Sequence, residues 1–165
     1  MAFGTGNHET TYLMISEMLK LDLKDKELLD MGCGTAVLAI LASMKGAKRV
    51  VGIDIDEWAY NNALENIRLN DTQEIQIALG GAEQIPNFGL FDIVFANINR
   101  NILLKDIQKY TKCMKPEACL FMSGFYTEDI PVIEAECIKN GLTLLSHTEK
   151  NNWVAVKTRK NKNIN

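Results

Sequence analysis

The sequence lacks most of what metal centres, disulfide-stapled domains and membrane spans require. It contains two histidines, and its four cysteines lie far apart with no CxxC pair, so we expect free thiols in a reducing compartment and no metal site. The longest stretch without a charged residue, Met31 to Met44, has 14 residues, whereas a membrane-spanning helix needs roughly 20 apolar ones. No basic segment followed by an apolar one opens the chain. These absences predict a soluble, cytoplasmic protein with no membrane contact.

The charge is unevenly distributed along the 165 residues. The net charge is −3, but residues 150–165 contain five basic residues and no acid, so residues 1–149 carry −8. An acidic body argues against direct nucleic-acid binding as the main function. With 47% apolar residues, the composition predicts one folded domain over residues 1–158, followed by a polar, basic tail over 159–165.

Apolar periodicity predicts alternating strands and helices. The predicted strands are 27–30, 49–54, 75–78, 91–96, 119–122, 143–147 and 153–157, and the predicted helices are 10–21, 35–45, 56–69, 100–114 and 128–140. The last two strands are joined by Thr148–Asn152, which is too short for a crossover helix, so they should pair antiparallel. The pattern predicts an α/β fold with a doubly wound, mostly parallel, Rossmann-like sheet of seven strands and an antiparallel C-terminal hairpin strand.

A glycine-containing turn follows the first strand and precedes a helix. Gly32 and Gly34 would let a ligand approach the main chain without a Cβ in the way. A dinucleotide-binding turn looks similar, but Val37 replaces the third glycine of its GxGxxG pattern. Asp30 would repel a pyrophosphate and could hold an ammonium group. A tight turn without any ligand is the alternative.

The next two strand ends carry further candidate groups. Asp54 lies 22 positions after Gly32, where a carboxylate can accept both hydroxyls of a ribose, and Ile55 could pack on a purine face. Asp56 is the predicted N-cap of the following helix. After the fourth strand, the side-chain oxygen of Asn97 could accept an N–H from an attacking amine. The alternatives are a solvated strand end for Asp54 and a turn residue for Asn97.

Together these residues resemble the cofactor site of class I S-adenosylmethionine-dependent methyltransferases. The segments Ala2–Thr11, Leu29–Gly34, Gly52–Asp56 and Ala96–Ile98 resemble, more narrowly, the PrmA family, the methyltransferases of ribosomal protein eleven of the large subunit. The resemblance extends from Ala2 to about Thr158. It implies S-adenosyl-L-methionine as the cofactor and methylation of lysine ε-amines, an N-terminal α-amine, or both, on that ribosomal protein.

The resemblance also implies roles for individual residues. It places the cofactor against Thr11, Gly32, Asp54 and Asn97. From the chemistry of the residues we predict that Asn97 orients the amine and that water removes its proton before binding. The opening loop, with Phe3, Gly4 and Thr5, would close over the methionine end of the cofactor. From the residues themselves we add Asp30, Gly34 and Ile55 to the predicted cofactor site. His8 would stand at the wall of the site, more as a structural hydrogen-bonding group than as a base.

The sequence departs from the family pattern in three places. Asn7 and Glu9 replace residues that are usually Thr and Pro. Gly81 occupies a position where many methyltransferases have an acid near the adenine amine, and the backbone of Ala82 or the side chain of Glu83 could substitute. Nothing corresponds to the family's N-terminal substrate-recognition domain, so we expect a piece of a longer chain.

Three other functions remain open at this stage. A methyltransferase of the same fold could act on another protein lysine or a small amine. A nucleic-acid methyltransferase is less compatible with the acidic body. A non-catalytic, NAD-binding Rossmann domain is disfavoured by Val37 and Asp30.

Overall fold

The fold, seen in a computed structural model that describes residues 8–72 and 74–162, is a seven-stranded sheet covered by helices. The strands are β1 (Glu27–Met31), β2 (Arg49–Asp54), β3 (Gln76–Leu79), β4 (Phe91–Asn97), β5 (Met114–Tyr126), β6 (Leu142–Lys150) and β7 (Trp153–Lys160). The helices are α1 (His8–Leu19), α2 (Val37–Met44), α3 (Glu57–Leu69), α4 (Arg100–Lys112) and α5 (Ile130–Lys139). Two 3₁₀ helices span Ala82–Phe88 and Thr127–Asp129.

The strand order is β3-β2-β1-β4-β5-β7-β6, and only the pairings of β7 with β5 and β6 are antiparallel among the described strands. The predicted doubly wound sheet with a reversed C-terminal strand is confirmed. The chain runs outward from β1 to β3 and then returns to β4 on the other side of β1. The carboxyl ends of β1 and β4 therefore meet at a topological switch point, where open α/β sheets bind ligands.

Two apolar clusters cover the two faces of the sheet. One joins α1, α2 and α3 to the sheet, and it includes Phe95 and Phe121, whose stacked rings have centroids 4.7 Å apart. The other joins α4, α5 and the first 3₁₀ helix to the opposite face. Because both faces are covered, the central strands are apolar on both sides, as the sequence indicated.

The hairpin differs from its predicted form. Strands β6 and β7 leave only Asn151 and Asn152 between them, both with left-handed φ values of 52° and 71°. This pair of conformations is typical of a type I′ turn, which matches the twist of the flanking strands. The predicted five-residue connection was too long because polar residues 148–150 pair with β7.

The predicted tail also begins too early. Arg159 and Lys160 are part of β7, and the Lys160 ammonium donates hydrogen bonds to the carbonyls of Thr111 and Met114 at 2.8 and 2.9 Å. Pairing of β7 with β5 and β6, together with these bonds, orders two residues whose sequence looks unstructured.

Strand β5 begins five residues before its predicted start. It includes Pro116, and the register with β4 shifts between Phe91 and Ile93 to accommodate the irregular segment. Helix α4 accordingly ends at Lys112 rather than Met114. Proline in this strand segment is tolerated because the shift removes the need for a regular ladder bond.

A β-bulge at Gly124 brings β5 against the end of β4. Ser123 pairs with Ala155 and Phe125 with Val154, so Gly124 is the extra residue, with φ of 112°. A Cβ at Gly124 would lie 2.3 Å from the backbone oxygen of Ile98. Only glycine permits this approach.

We predict that Gly124→Ala lowers the free energy of unfolding by about 3 kcal/mol, because it adds a backbone clash to an unfavourable φ. The matched control is Gly141→Ala, which has φ of 79° but no atom within 4 Å of the new Cβ. The control should lose only about 1 kcal/mol. Urea unfolding of both variants measures the difference, and equal losses would contradict the role of the close approach.

Candidate functional site

A cleft of about 550 Å³ opens where the carboxyl ends of β1, β2 and β4 meet. Its size is in the range of small-molecule sites. Its walls come from the ends of these strands, the segment 80–83, one face of α4, Gly124 and Trp153. The predicted residues Gly32, Asp54, Ile55 and Asn97 all line it.

Three backbone N–H groups of the turn after β1, those of Gly32, Cys33 and Gly34, donate within the protein. Gly32 and Cys33 both donate to the carbonyl of Ile53, at 2.8 and 3.1 Å. Gly34 donates to Oδ2 of Asp54 at 2.8 Å. A phosphate-binding turn presents free N–H groups to its ligand, so this turn is not arranged to hold a pyrophosphate. Val37, in place of a third glycine, lies half exposed at the start of α2.

Asp30 is a buried carboxyl group two residues before Gly32. Its exposed fraction is 1%, and its Oδ2 has no hydrogen-bond partner in the described part of the chain. Burial, and then the charge of Asp54, raise the pKa of Asp30 to about 8, partly offset by a hydrogen bond from the backbone of Ala39. An incompletely satisfied buried carboxyl fits a cationic ligand.

Asp54 and Ile55 form the wall contributed by β2. The Asp54 carboxylate accepts hydrogen bonds from the backbone of Gly34 and, through Oδ1 at 2.9 Å, of Asp56. Each oxygen retains a second lone pair for a ligand hydroxyl. Ile55 is 79% exposed, which is unusual for an isoleucine and consistent with a ligand covering it. Asp56 accepts from Trp58 N, which confirms it as the cap of α3.

Asn97 ends β4 with its side chain mostly buried and on the cleft wall. It is in register with Ser123, whose carbonyl accepts the N–H of Ile98 at 2.9 Å. Ile98 is packed closely between two glycines, because a Cβ at Gly32 would lie 2.9 Å from its Cγ1. The backbone that carries Asn97 is therefore fixed from both sides.

Other predicted site residues lie away from the described walls of the cleft or outside the described residues. Phe3, Gly4 and Thr5 fall outside the described residues, and their roles stay predictions. Thr11 lies half-buried in α1, and His8 is exposed at the first position of that helix. Thr11, Asp30 and Gly34 are not among the described residues that line the cleft.

The segment after β3 carries Glu83 at the position considered for an adenine contact. The Glu83 carboxylate accepts a hydrogen bond from the N–H of Gly81 at 2.8 Å. Hydrogen bonds from the backbone of Gly81 and of Glu83 itself lower the pKa of this carboxyl group. The side chain therefore folds back onto its own loop.

The sequence did not identify two further walls. Trp153 lines the cleft and packs against Tyr126, with ring centroids 4.3 Å apart. Only the order of β5, β7 and β6 places it there, and no local pattern shows this. The wall from α4 consists of four residues on one helix face: Ile102, Lys105, Asp106 and Lys109. Their helical spacing after Asn97 was a usable signal.

The described residues form neither a metal-binding cluster nor a membrane-spanning helix. They contain no group of three or more His, Cys, Asp or Glu side chains able to hold a metal ion. None of their helices is long and apolar enough to span a membrane. All four cysteines are free thiols.

Comparisons with known proteins agree on one family. The profile of the family described as "Ribosomal protein L11 methyltransferase (PrmA)" matches residues 1–161. A relative of that name from Bacteroides thetaiotaomicron is 58% identical over 157 residues, covering 95% of this chain and 56% of the relative. One from Porphyromonas gingivalis is 49% identical over 158 residues, covering 95% of this chain and 54% of the relative.

Solved structures show the same fold. The ribosomal protein L11 methylase of Lactobacillus delbrueckii subsp. bulgaricus has a TM-score of 0.87 at 29% identity, covering 94% of this chain and 81% of that one. An RNA methyltransferase from Salinibacter ruber, in complex with S-adenosyl-L-homocysteine, has a TM-score of 0.72 at 15% identity, covering 92% and 93%. The second likeness concerns the fold alone.

The chain spans little more than half the length of the curated relatives it matches. Within that length, the profile match and the high identities cover nearly every residue. The chain therefore belongs to the PrmA family.

Proposed function

We propose that this chain is the catalytic domain of an S-adenosyl-L-methionine-dependent protein N-methyltransferase. Its substrates are lysine ε-amines, an N-terminal α-amine, or both, on ribosomal protein eleven of the large subunit. The observation that carries the proposal is the electrostatic arrangement of the cleft. The N–H groups of Gly32, Cys33 and Gly34 are already bonded, and the carboxyl groups of Asp30 and Asp54 flank the turn. Such a site favours a cationic ligand over a pyrophosphate.

The residues present fit this cofactor group by group. Asp54 has lone pairs for both ribose hydroxyls, and the exposed Ile55 offers an apolar surface for the purine. Asp30, buried two residues before Gly32, would serve as counter-ion for the ammonium, and Gly32 keeps the main chain of the cleft wall accessible. Thr11 and the loop from Phe3 to Thr5 would enclose the methionine end.

The main task of the protein groups is alignment. When bound, the cofactor supplies a methyl group already activated on a sulfonium. Asn97 accepts an N–H of the amine and directs its lone pair into the cleft, where the reacting atoms must be in line. The free amine is required, and a lysine has a reference pKa near 10.4. Desolvation in a cleft that already holds a cation lowers that pKa, so no dedicated base is needed.

We propose that recognition of the ribosomal protein resides in the part of the relatives that this chain does not span. Docking energy from a remote domain can be used at the reacting centre. We therefore propose that the chain binds the cofactor by itself but methylates the ribosomal protein slowly. Its proposed location, the cytoplasm, is where ribosomal proteins and the cofactor meet.

Calorimetric titration of S-adenosyl-L-methionine and of NAD tests the cofactor. We expect only the sulfonium compound to bind. Asp54→Ala should weaken its binding at least about tenfold, because charge-assisted bonds to ribose are lost. The control Asp56→Ala removes a neighbouring carboxylate that caps α3 and should leave the affinity nearly unchanged. Binding of NAD instead would overturn the proposal.

Asn97→Ala tests the orienting role. We expect methyl transfer to the ribosomal protein to fall on the order of 100-fold, because misalignment alone has this effect. Cofactor affinity should change only a few-fold. Single-turnover transfer, measured beside the exposed control Asn101→Ala, separates the two quantities. Unchanged turnover would show that the amide does not position the amine.

The raised pKa of Asp30 predicts a pH-dependent stability of the ligand-free chain. Between about pH 4 and pH 8 the folded state keeps a proton that the unfolded state has lost, so the free energy of unfolding falls as the pH rises. The neutral variant Asp30→Asn should lose this component, whereas the exposed control Asp71→Asn should retain it. Urea unfolding at pH 5, 7 and 9 measures the slopes, and equal slopes in all three proteins would refute the assignment.

A further inference from the structure

The cleft has two ends, and they are lined by different groups. By strand order, Asn97, Gly124 and Trp153 belong to β4, β5 and β7, on one side of β1, whereas the segment 80–83 follows β3 on the other side and α4 packs against the 3₁₀ helix that begins there. This inference rests on the proposed function, in which Asp54 holds the ribose. The reacting methyl group must then point toward Asn97. The adenine base therefore occupies the end of the cleft formed by 80–83 and α4.

At the end of the cleft assigned to adenine, one buried polar side chain has an oxygen without a hydrogen-bond donor among the described residues. Asp106, on α4, lines the cleft although only 8% of the residue is exposed, and its Oδ1 has no hydrogen-bond donor among the described residues. The ammonium of Lys109 lies 3.6 Å from that oxygen, beyond hydrogen-bond distance. A buried acceptor without a donor costs free energy, which a ligand N–H can recover.

The other acid at this end has a different role. Glu83 is exposed, and its carboxylate accepts the N–H of Gly81. It stabilises the loop that follows β3. The adjacent phenol oxygen of Tyr110 also has no partner, but Tyr110 does not line the cleft. Of the two acidic residues that line this end of the cleft, Asp106 is therefore the one that has a buried oxygen without a hydrogen-bond donor.

We propose that the Asp106 carboxylate accepts a hydrogen bond from the exocyclic amine of adenine and makes the cleft select adenine over purines that lack this amine. Rotation about the Cβ–Cγ bond, a soft torsion, turns either oxygen toward the ligand. The acceptor comes from α4 and not from the loop after β3, where Gly81 has no side chain to supply it.

Affinity for two ligands tests the assignment: S-adenosyl-L-homocysteine and its analogue with hydrogen in place of the adenine amine. The unmodified chain should prefer the amine-bearing ligand by roughly 10- to 100-fold, as expected for one bond to a charged acceptor. Asp106→Ala should reduce this preference to about threefold or less. Asp106→Asn keeps an uncharged acceptor and should give an intermediate preference. The control Glu83→Ala should retain the full preference.

The outcomes distinguish failure of the role assigned to Asp106 from failure of the proposed function. A full preference in Asp106→Ala, or its loss in Glu83→Ala, would overturn the role of Asp106 and leave the proposed function intact. Equal binding of both ligands to the unmodified chain would also overturn it. Failure of S-adenosyl-L-homocysteine to bind at all would contradict the proposed function itself. Thermal unfolding of each variant establishes that it is folded.

Discussion

The site depends on the hydrogen bonds that tie the turn after β1 to the end of β2. Two N–H groups of the turn share the Ile53 carbonyl, and a third meets the Asp54 carboxylate. This requires a close approach, because a Cβ at Gly52 would lie 3.1 Å from both Cβ and Sγ of Cys33. Since these three donors are used internally, the carboxyl groups of Asp30 and Asp54 contribute the main charges near the turn. In the proposed function, the bonds that form the turn thus also favour one class of cofactor.

A second close approach joins the end of the cleft that contains Asn97 to this turn. Ile98 packs against Gly32 with its side chain and against Gly124 with its backbone. The β-bulge at Gly124 therefore fixes the position of Asn97, the residue before Ile98, relative to the turn. Alignment of an amine with a sulfonium methyl needs positions held to a fraction of an ångström. Strand ends packed against glycines meet that need better than a free loop would.

Sequence reasoning could predict the elements whose signals are local. Strands β1, β2 and β4 are short apolar runs, and the cap at Asp56 has its own signature, so their bounds were correct to within one residue. The start of β5, the length of the hairpin turn and the end of β7 depend on pairing partners distant in sequence. For the same reason Trp153 was missed, because only strand order brings it to the cleft. The α4 wall could have been predicted from helical spacing. The motifs used for the prediction, however, lie only at strand ends.

The burial of Asp30 affects how the site is stabilised before a ligand binds. Two ionised carboxylates side by side would repel each other, but the raised pKa of Asp30, about 8, leaves it protonated at neutral pH while Asp54 provides the negative charge. A ligand ammonium changes this balance, because a nearby cation lowers the pKa of a carboxyl group. The second negative charge would then form only when a cation is present to compensate it. A ligand whose nearest group is a pyrophosphate would gain nothing from this exchange, so in the proposed function the buried acid would favour a cationic cofactor over a dinucleotide.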